Sequence, residues 1–332
     1  MTSSRKSSNS ALSRLFLSLF VLALATAIFL YRQHILDQFN VWQFKPSQEV
    51  SAIAMRAELS DTGRFYFYAS QPAVQERDAF NKSCTTMRGE TIVVLGCYVM
   101  QRVYLFNVTD EKLDGIREVT AAHEMLHAAY ERLSGSEKTP IDTLLQTESQ
   151  KITDPEFVTL MQEYDKSEPG ERNNELHSII GTQVGNLSPE LESYYAQYFN
   201  NRTKLVELYA KYESVFSSVR TQQTQLADEL DALVQHIDEA TNNYNQGVTK
   251  LNSDVAAFNE RARNGGFSSQ AQFNAERDVL VLRQRQLGSD RALIDGYIAT
   301  YNTKRQQLSE INSQAEALNR SVNSNLNPLP SI

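Results

Sequence analysis

Cysteine is nearly absent: only Cys84 and Cys97 occur in 332 residues, and their spacing is not a CxxC. That argues against metal binding through thiolates and leaves one disulfide or two free thiols as the alternatives. No glycine-rich phosphate loop is present, so nucleotide binding of that kind has no signature. The formal charge is −8 and no basic stripe is interleaved with aromatics, which argues against nucleic acid as a partner. Glycine (13), proline (8) and tryptophan (1) are sparse, and there are five histidines. The length suits a globular domain plus an extension better than one undivided core.

What the chain does have begins near its N-terminus. Residues 1–14 are polar and carry Arg5, Lys6 and Arg14; LFLSLFVLALATAIFLY (Leu15–Tyr31) then runs without a charge, and Arg32 closes it. Residues 15–32 are long enough for a spanning helix. The basic residues on the leading side place the N-terminus in the cytoplasm and the bulk of the chain outside. A cleaved signal peptide is the alternative, because Ala23-Leu24-Ala25 and Ala25-Thr26-Ala27 have small-x-small form. The apolar run continues past both, which favours an uncleaved single-pass anchor. A short basic head with one anchor points to a bacterial source. In an extracytoplasmic setting the two cysteines, Cys84 and Cys97, are expected to form a disulfide.

Residues 33–49 read as a juxtamembrane linker. In 50–202 the signals are mixed. SAIAMRAEL reads as a helix. RFYFYAS (Arg64–Ser70), TIVVLGCYV (Thr91–Val99) and RVYLFNV (Arg102–Val108) read as strands, the last two as a hairpin. TDEKLDGIREVTAAHEMLHAAYERLSG reads as one helix capped by Thr109 or Asp110 and closed by Gly135. From residue 203 apolar positions recur at three- and four-residue spacing as far as Phe258. After the breaker RNGGFSS, residues Phe273, Leu280, Leu287, Ile294, Tyr301, Leu308, Ala315 and Val322 stand seven apart. That is a heptad seam, so 203–323 is expected to be an antiparallel helical hairpin. Phe267 is expected to pack across its own turn. Residues 324–332 read as a disordered tail.

The chemistry lies in HEMLH. On a helix, positions i and i+4 share a face, so His123 and His127 can aim at one ion. Imidazole nitrogen suits zinc, and Glu124, one step around the helix, is placed to act as a base toward water rather than as a ligand. Val119, Ala122, Leu126, Ala129 and Leu133 form an apolar stripe that can seat this helix on a core.

AAHEMLHAAY resembles the active-site helix of the zincin metallopeptidases. The metzincin branch would need glycine at position 130 and histidine at 133, where this chain has Tyr130 and Leu133. The gluzincin branch takes its third ligand from a later helix, and Asn174-Glu175 followed by LHSIIG is similar to that helix. The resemblance implies an α+β zincin-like domain with a small antiparallel sheet, and Zn2+ bound by His123, His127 and Glu175. His177 is the competing third ligand, and Glu124 is the catalytic residue. It also implies that RVYLFNV is an edge strand lining the cleft and pairing with substrate, a buried central strand being the alternative. Tyr194, Tyr195 and Tyr198 are read as core. The implied function is a zinc endopeptidase acting on proteins or peptides. The alternative is an interaction protein in which the hairpin binds a partner or self-associates and the zincin-like domain is an inactive scaffold.

Overall fold

The computed structural model describes residues 8–84, 94–167 and 169–324. The chain divides into two units, Met1–Val215 with Asn319–Ile332, and Phe216–Leu318.

The first unit opens with α1 (Ser8–Gln43). Its apolar part is exposed and long enough to cross a membrane, as a signal sequence also would be. The helix does not stop at Arg32. The expected linker over 33–49 is helical through Gln43, because this stretch has a face to bury. Asp37 is only 2 % exposed, Asn40 donates from Nδ2 to the Ala69 carbonyl at 3.2 Å, and Phe44 packs on Tyr68.

Next come α2 (Gln48–Arg56) and α3 (Asp61–Ala69). The strand expected over Arg64–Ser70 is therefore a helix. Ser60 caps it by accepting from the Gly63 N–H at 3.1 Å, with Asp61 in the first turn. Gly63, Phe67 and Ser70, which recur at helical spacing, are buried. The cap decides the outcome, and the aromatic residues fill a helix face as readily as a pleat.

β1 (Ala73–Gln75), α4 (Arg77–Ser83), β2 (Gly96–Val99) and β3 (Arg102–Phe106) follow. Residues 91–93 of the expected second strand lie outside the described residues. The sheet order is β1-β3-β2, with β1 parallel to β3 and β2 antiparallel to it. Two expectations are corrected here: the sheet is mixed rather than antiparallel, and RVYLFNV is its central strand. Val103 and Leu105, both 0 % exposed, bury one face of β3. β2 is the edge next to α5. Cys84 and Cys97 form the expected disulfide, with Cα atoms 6.1 Å apart.

A 3-10 turn (Glu111–Leu113) precedes α5 (Ile116–Arg132). Asp110 caps the turn rather than the helix. Gly115, at φ 102°, then breaks the chain before α5 starts. Gly135 does not close α5; it opens α6 (Gly135–Ser149), where the Ser134 N–H donates to Glu137 Oε2 at 2.8 Å. The remaining helices are α7 (Pro155–Ser167), α8 (Arg172–Gln183) and α9 (Pro189–Tyr195). α8 lies directly on α5. A side chain at Gly181 would stand 2.5 Å from Leu126 Cδ1 and 2.6 Å from Tyr195 Cε1. The apolar stripe of α5 is the core, with Val119, Ala122, Leu126 and Ala129 all at 2 % exposure or less.

The second unit is the main part of the expected hairpin, whose two helices are α10 (Arg202–Arg263) and α11 (Gln270–Val322), each with one end in the first unit. At 1.5 Å per residue these helices are about 90 and 80 Å long. The seam follows the heptad: Phe273, Leu280, Leu287, Ile294, Tyr301, Leu308 and Ala315 are partly or fully buried. Asp290, Tyr297, Lys304 and Ile311 supply the intervening positions. Gly247 lets Leu287 enter, since a Cβ there would lie 2.7 Å from Leu287 Cδ2. At the turn, Phe258, Phe267 and Phe273 form one cluster with centroids 5.0–5.2 Å apart. Phe267 thus packs across its own turn as expected. The expected tail lies, from residue 325 onward, outside the described residues.

Candidate metal centre

α5 presents His123 and His127 one turn apart, and α8 brings Glu175 against them. The His123 and His127 Nε2 atoms are 3.0 Å apart. Glu175 Oε1 is 3.5 Å from His127 Nε2, and Oε2 is 3.8 Å from His123 Nε2. Four-coordinate zinc with ligand distances near 2.0–2.1 Å would separate its ligand atoms by roughly 3.3–3.4 Å. The two imidazole nitrogens and the carboxylate oxygen nearest to each therefore stand close to the spacing one cation requires, and this group could hold a metal ion.

The tautomer is set from outside the cluster. His127 Nδ1 lies 2.9 Å from Asn174 Oδ1. The Asn174 amide is itself oriented by donating from Nδ2 to Glu171 Oε2 at 3.0 Å. An amide oxygen can only accept, so Nδ1 carries the proton and the Nε2 lone pair faces His123. Burial holds the His123 imidazolium well below its ordinary pKa, and repulsion from His127 and His177 adds to this. Burial thus favours the neutral His123 ring. The two Nε2 nitrogens, 3.0 Å apart, repel unless a proton or a cation lies between them.

Glu124 follows His123 on the same helix and is 5 % exposed. Burial pushes its carboxyl up to about 7; His127 opposes the shift and Glu175 adds to it. Its side chain lies over Gly96 of β2, where a Cβ would come within 2.7 Å of Oε1 and 2.8 Å of Cγ. Only glycine lets the edge strand pass this close to the carboxylate.

His177 does not join the group. It is 0 % exposed, donates or accepts at Nε2 with Tyr194 Oη at 2.8 Å, and is ringed by Tyr130, Tyr194, Tyr195 and Tyr198. Burial drives its pKa down to about 3, with His127 contributing. Tyr195, fully buried, donates from its hydroxyl to the His177 carbonyl at 2.8 Å. Tyr195 and Tyr198 are core, as read from the sequence, whereas Tyr194 is half-buried.

Sequence reasoning placed His123, Glu124, His127 and Glu175 together but gave no role to Asn174, Glu171 or Gly96. Asn174 directly precedes Glu175 in the chain, which was the available signal. For Gly96 there was none, because the need for glycine arises only when β2 crosses α5. Comparison with protein-family models, curated proteins and solved structures gives no match.

Proposed function

We propose that the protein is a membrane-anchored zinc-dependent endopeptidase of the gluzincin kind. Its metal would be held by His123, His127 and Glu175, and Glu124 would be its general base. One observation carries this reading: a carboxylate from α8 converges on two imidazoles of α5, with a second carboxylate, Glu124, buried beside them. When bound there, zinc would supply Lewis acidity toward a peptide carbonyl and toward water. Asn174 keeps the His127 Nε2 lone pair available. Glu124 would take a proton from the attacking water at its carboxylate and return it to the leaving amine. A carboxyl poised near neutrality suits both halves of that exchange. Among the described residues, β2 has a strand neighbour on one side only, so an extended peptide could pair with its other side through backbone hydrogen bonds. α1 would be the anchor, with the domain outside the cytoplasm, where the Cys84–Cys97 disulfide persists.

The test uses the full chain purified in detergent. The expected result is about one zinc per chain and cleavage of a mixed peptide substrate. Glu124→Gln should keep the metal and lose cleavage, while His123→Ala should lose both. A metal-free protein, or a Glu124→Gln variant that cuts at the wild-type rate, overturns the reading.

A further inference from the structure

The β2–β3 hairpin ends in a two-residue turn, Met100-Gln101, between Val99 and Arg102. Both residues have positive φ, 50° and 63°. That is the geometry asparagine and glycine adopt with least strain. Here a methionine occupies the tip with 92 % of its surface exposed. Gln101 and Gln33 face each other as a reciprocal amide pair, with Gln101 Nε2 to Gln33 Oε1 at 3.1 Å and Gln33 Nε2 to Gln101 Oε1 at 3.4 Å. Gln33 follows Arg32, the residue that closes the apolar run of α1. One residue is about 1.5 Å along a helix axis. The tip is therefore tied to α1 at the level where the apolar run ends. Arg102, at the base of the turn, is exposed and donates to Gln71 Oε1 at 2.7 Å.

We propose that Met100 is seated in the interfacial layer of the bilayer that α1 crosses, making the β2–β3 tip a second membrane contact of the catalytic domain. This rests on the reading of α1 as an anchor. An apolar side chain on a strained turn finds there the environment that water denies it. Arg102, two residues on, and Arg32, which precedes Gln33 on α1, would lie at headgroup level, where cationic side chains meet anionic lipid. The contact fixes the edge strand that passes over Glu124, because Met100 directly follows β2.

The experiment places the full chain in vesicles of phosphatidylethanolamine and phosphatidylglycerol carrying bromine near the carbonyl end of the acyl chains or, in a second preparation used for the span reporter, near their methyl end. Trp42, the only tryptophan, is first replaced in a Trp42→Phe background, and single tryptophans are then introduced. Leu24→Trp reports on the span. Met55→Trp replaces another exposed methionine, on α2. Met100→Trp is expected to be quenched several-fold more than Met55→Trp. The unaltered chain gives a second readout through oxidation by chloramine-T in the same vesicles. Met55, although less exposed in the protein than Met100 (70 % against 92 %), should form its sulfoxide several-fold faster. Quenching of Leu24→Trp without quenching of Met100→Trp, or equal oxidation of the two methionines, overturns the tip contact and leaves the anchor standing. An unquenched Leu24→Trp overturns both.

Discussion

Asn174 does for His127 what the ring cannot do for itself: it fixes which nitrogen carries the proton. An outer partner of this kind is commonly worth 10–100-fold in metal affinity. Asn174→Ala is therefore expected to weaken zinc binding by about 10–100-fold in a chelator competition, with the fold intact by circular dichroism. Gly96 acts at the other carboxylate. Gly96→Ala should leave metal content unchanged while lowering peptide cleavage by on the order of 100-fold, the usual cost of displacing a general base. An unchanged rate would mean that β2 yields to the new methyl without moving Glu124. These two residues also mark how far the sequence could be read. HEMLH is legible because the helix places both imidazoles without outside help. Glu175 became a candidate only through a resemblance, since nothing in its own surroundings says which of Glu175 and His177 will face α5. The packing of α8 decides that: Gly181 against Leu126 and Tyr195 fixes the rotation of the helix and turns His177 into the tyrosine cluster.

Among the elements, α1 and α5 are joined by a buried ion pair. Arg132 donates from Nε to Asp37 Oδ2 at 2.8 Å and from Nη2 to Asp37 Oδ1 at 2.7 Å, and its Nη1 reaches the Ala128 carbonyl at 2.6 Å. Their side chains are only 6 % and 3 % exposed. Removing one partner leaves an uncompensated buried charge, so Asp37→Ala should destabilise the domain by about 3–5 kcal/mol in urea unfolding. The disulfide tethers α4 to β2 across a sequence separation of 13. A loop of that size supports an expected loss of roughly 3 kcal/mol on reduction, read as a lower urea midpoint. At this scale the heptad hairpin was fully legible, because one period repeats without a slip. The α3 helix and the linker were not. RFYFYAS is an aromatic run bounded by Gly63 and Pro72, and its meaning was reversed by the cap at Ser60, upstream of the run. Residues 33–43 mix apolar and polar side chains, and the sequence does not show that Asp37 is buried because its partner, Arg132, lies 95 residues away.

For the whole molecule, a metal at His123, His127 and Glu175 would cross-link α5 to α8, the two helices that make the core. Binding to the folded state alone stabilises by RT ln(1 + [L]/Kd), about 4 kcal/mol at a thousandfold excess over Kd. Treatment with a chelator should therefore lower the melting temperature, and zinc should restore it. His123→Ala should melt at the same temperature with or without chelator. The reading of α1 adds a different consequence. Asp37 stands five residues past Arg32, about 8 Å along the helix, and it grips the end of α5 nine residues from His123, another 14 Å or so. Followed through the Asp37 and Arg132 side chains, the path from the end of the apolar run to the His–Glu cluster is at most roughly 40 Å. If the proposed peptidase and anchor both hold, a cutting centre on so short and stiff a post would select by altitude before it reads side chains: loops and tails that stay close to the lipid would come within reach, and polypeptide that remains free in the surrounding fluid would be spared unless it descends.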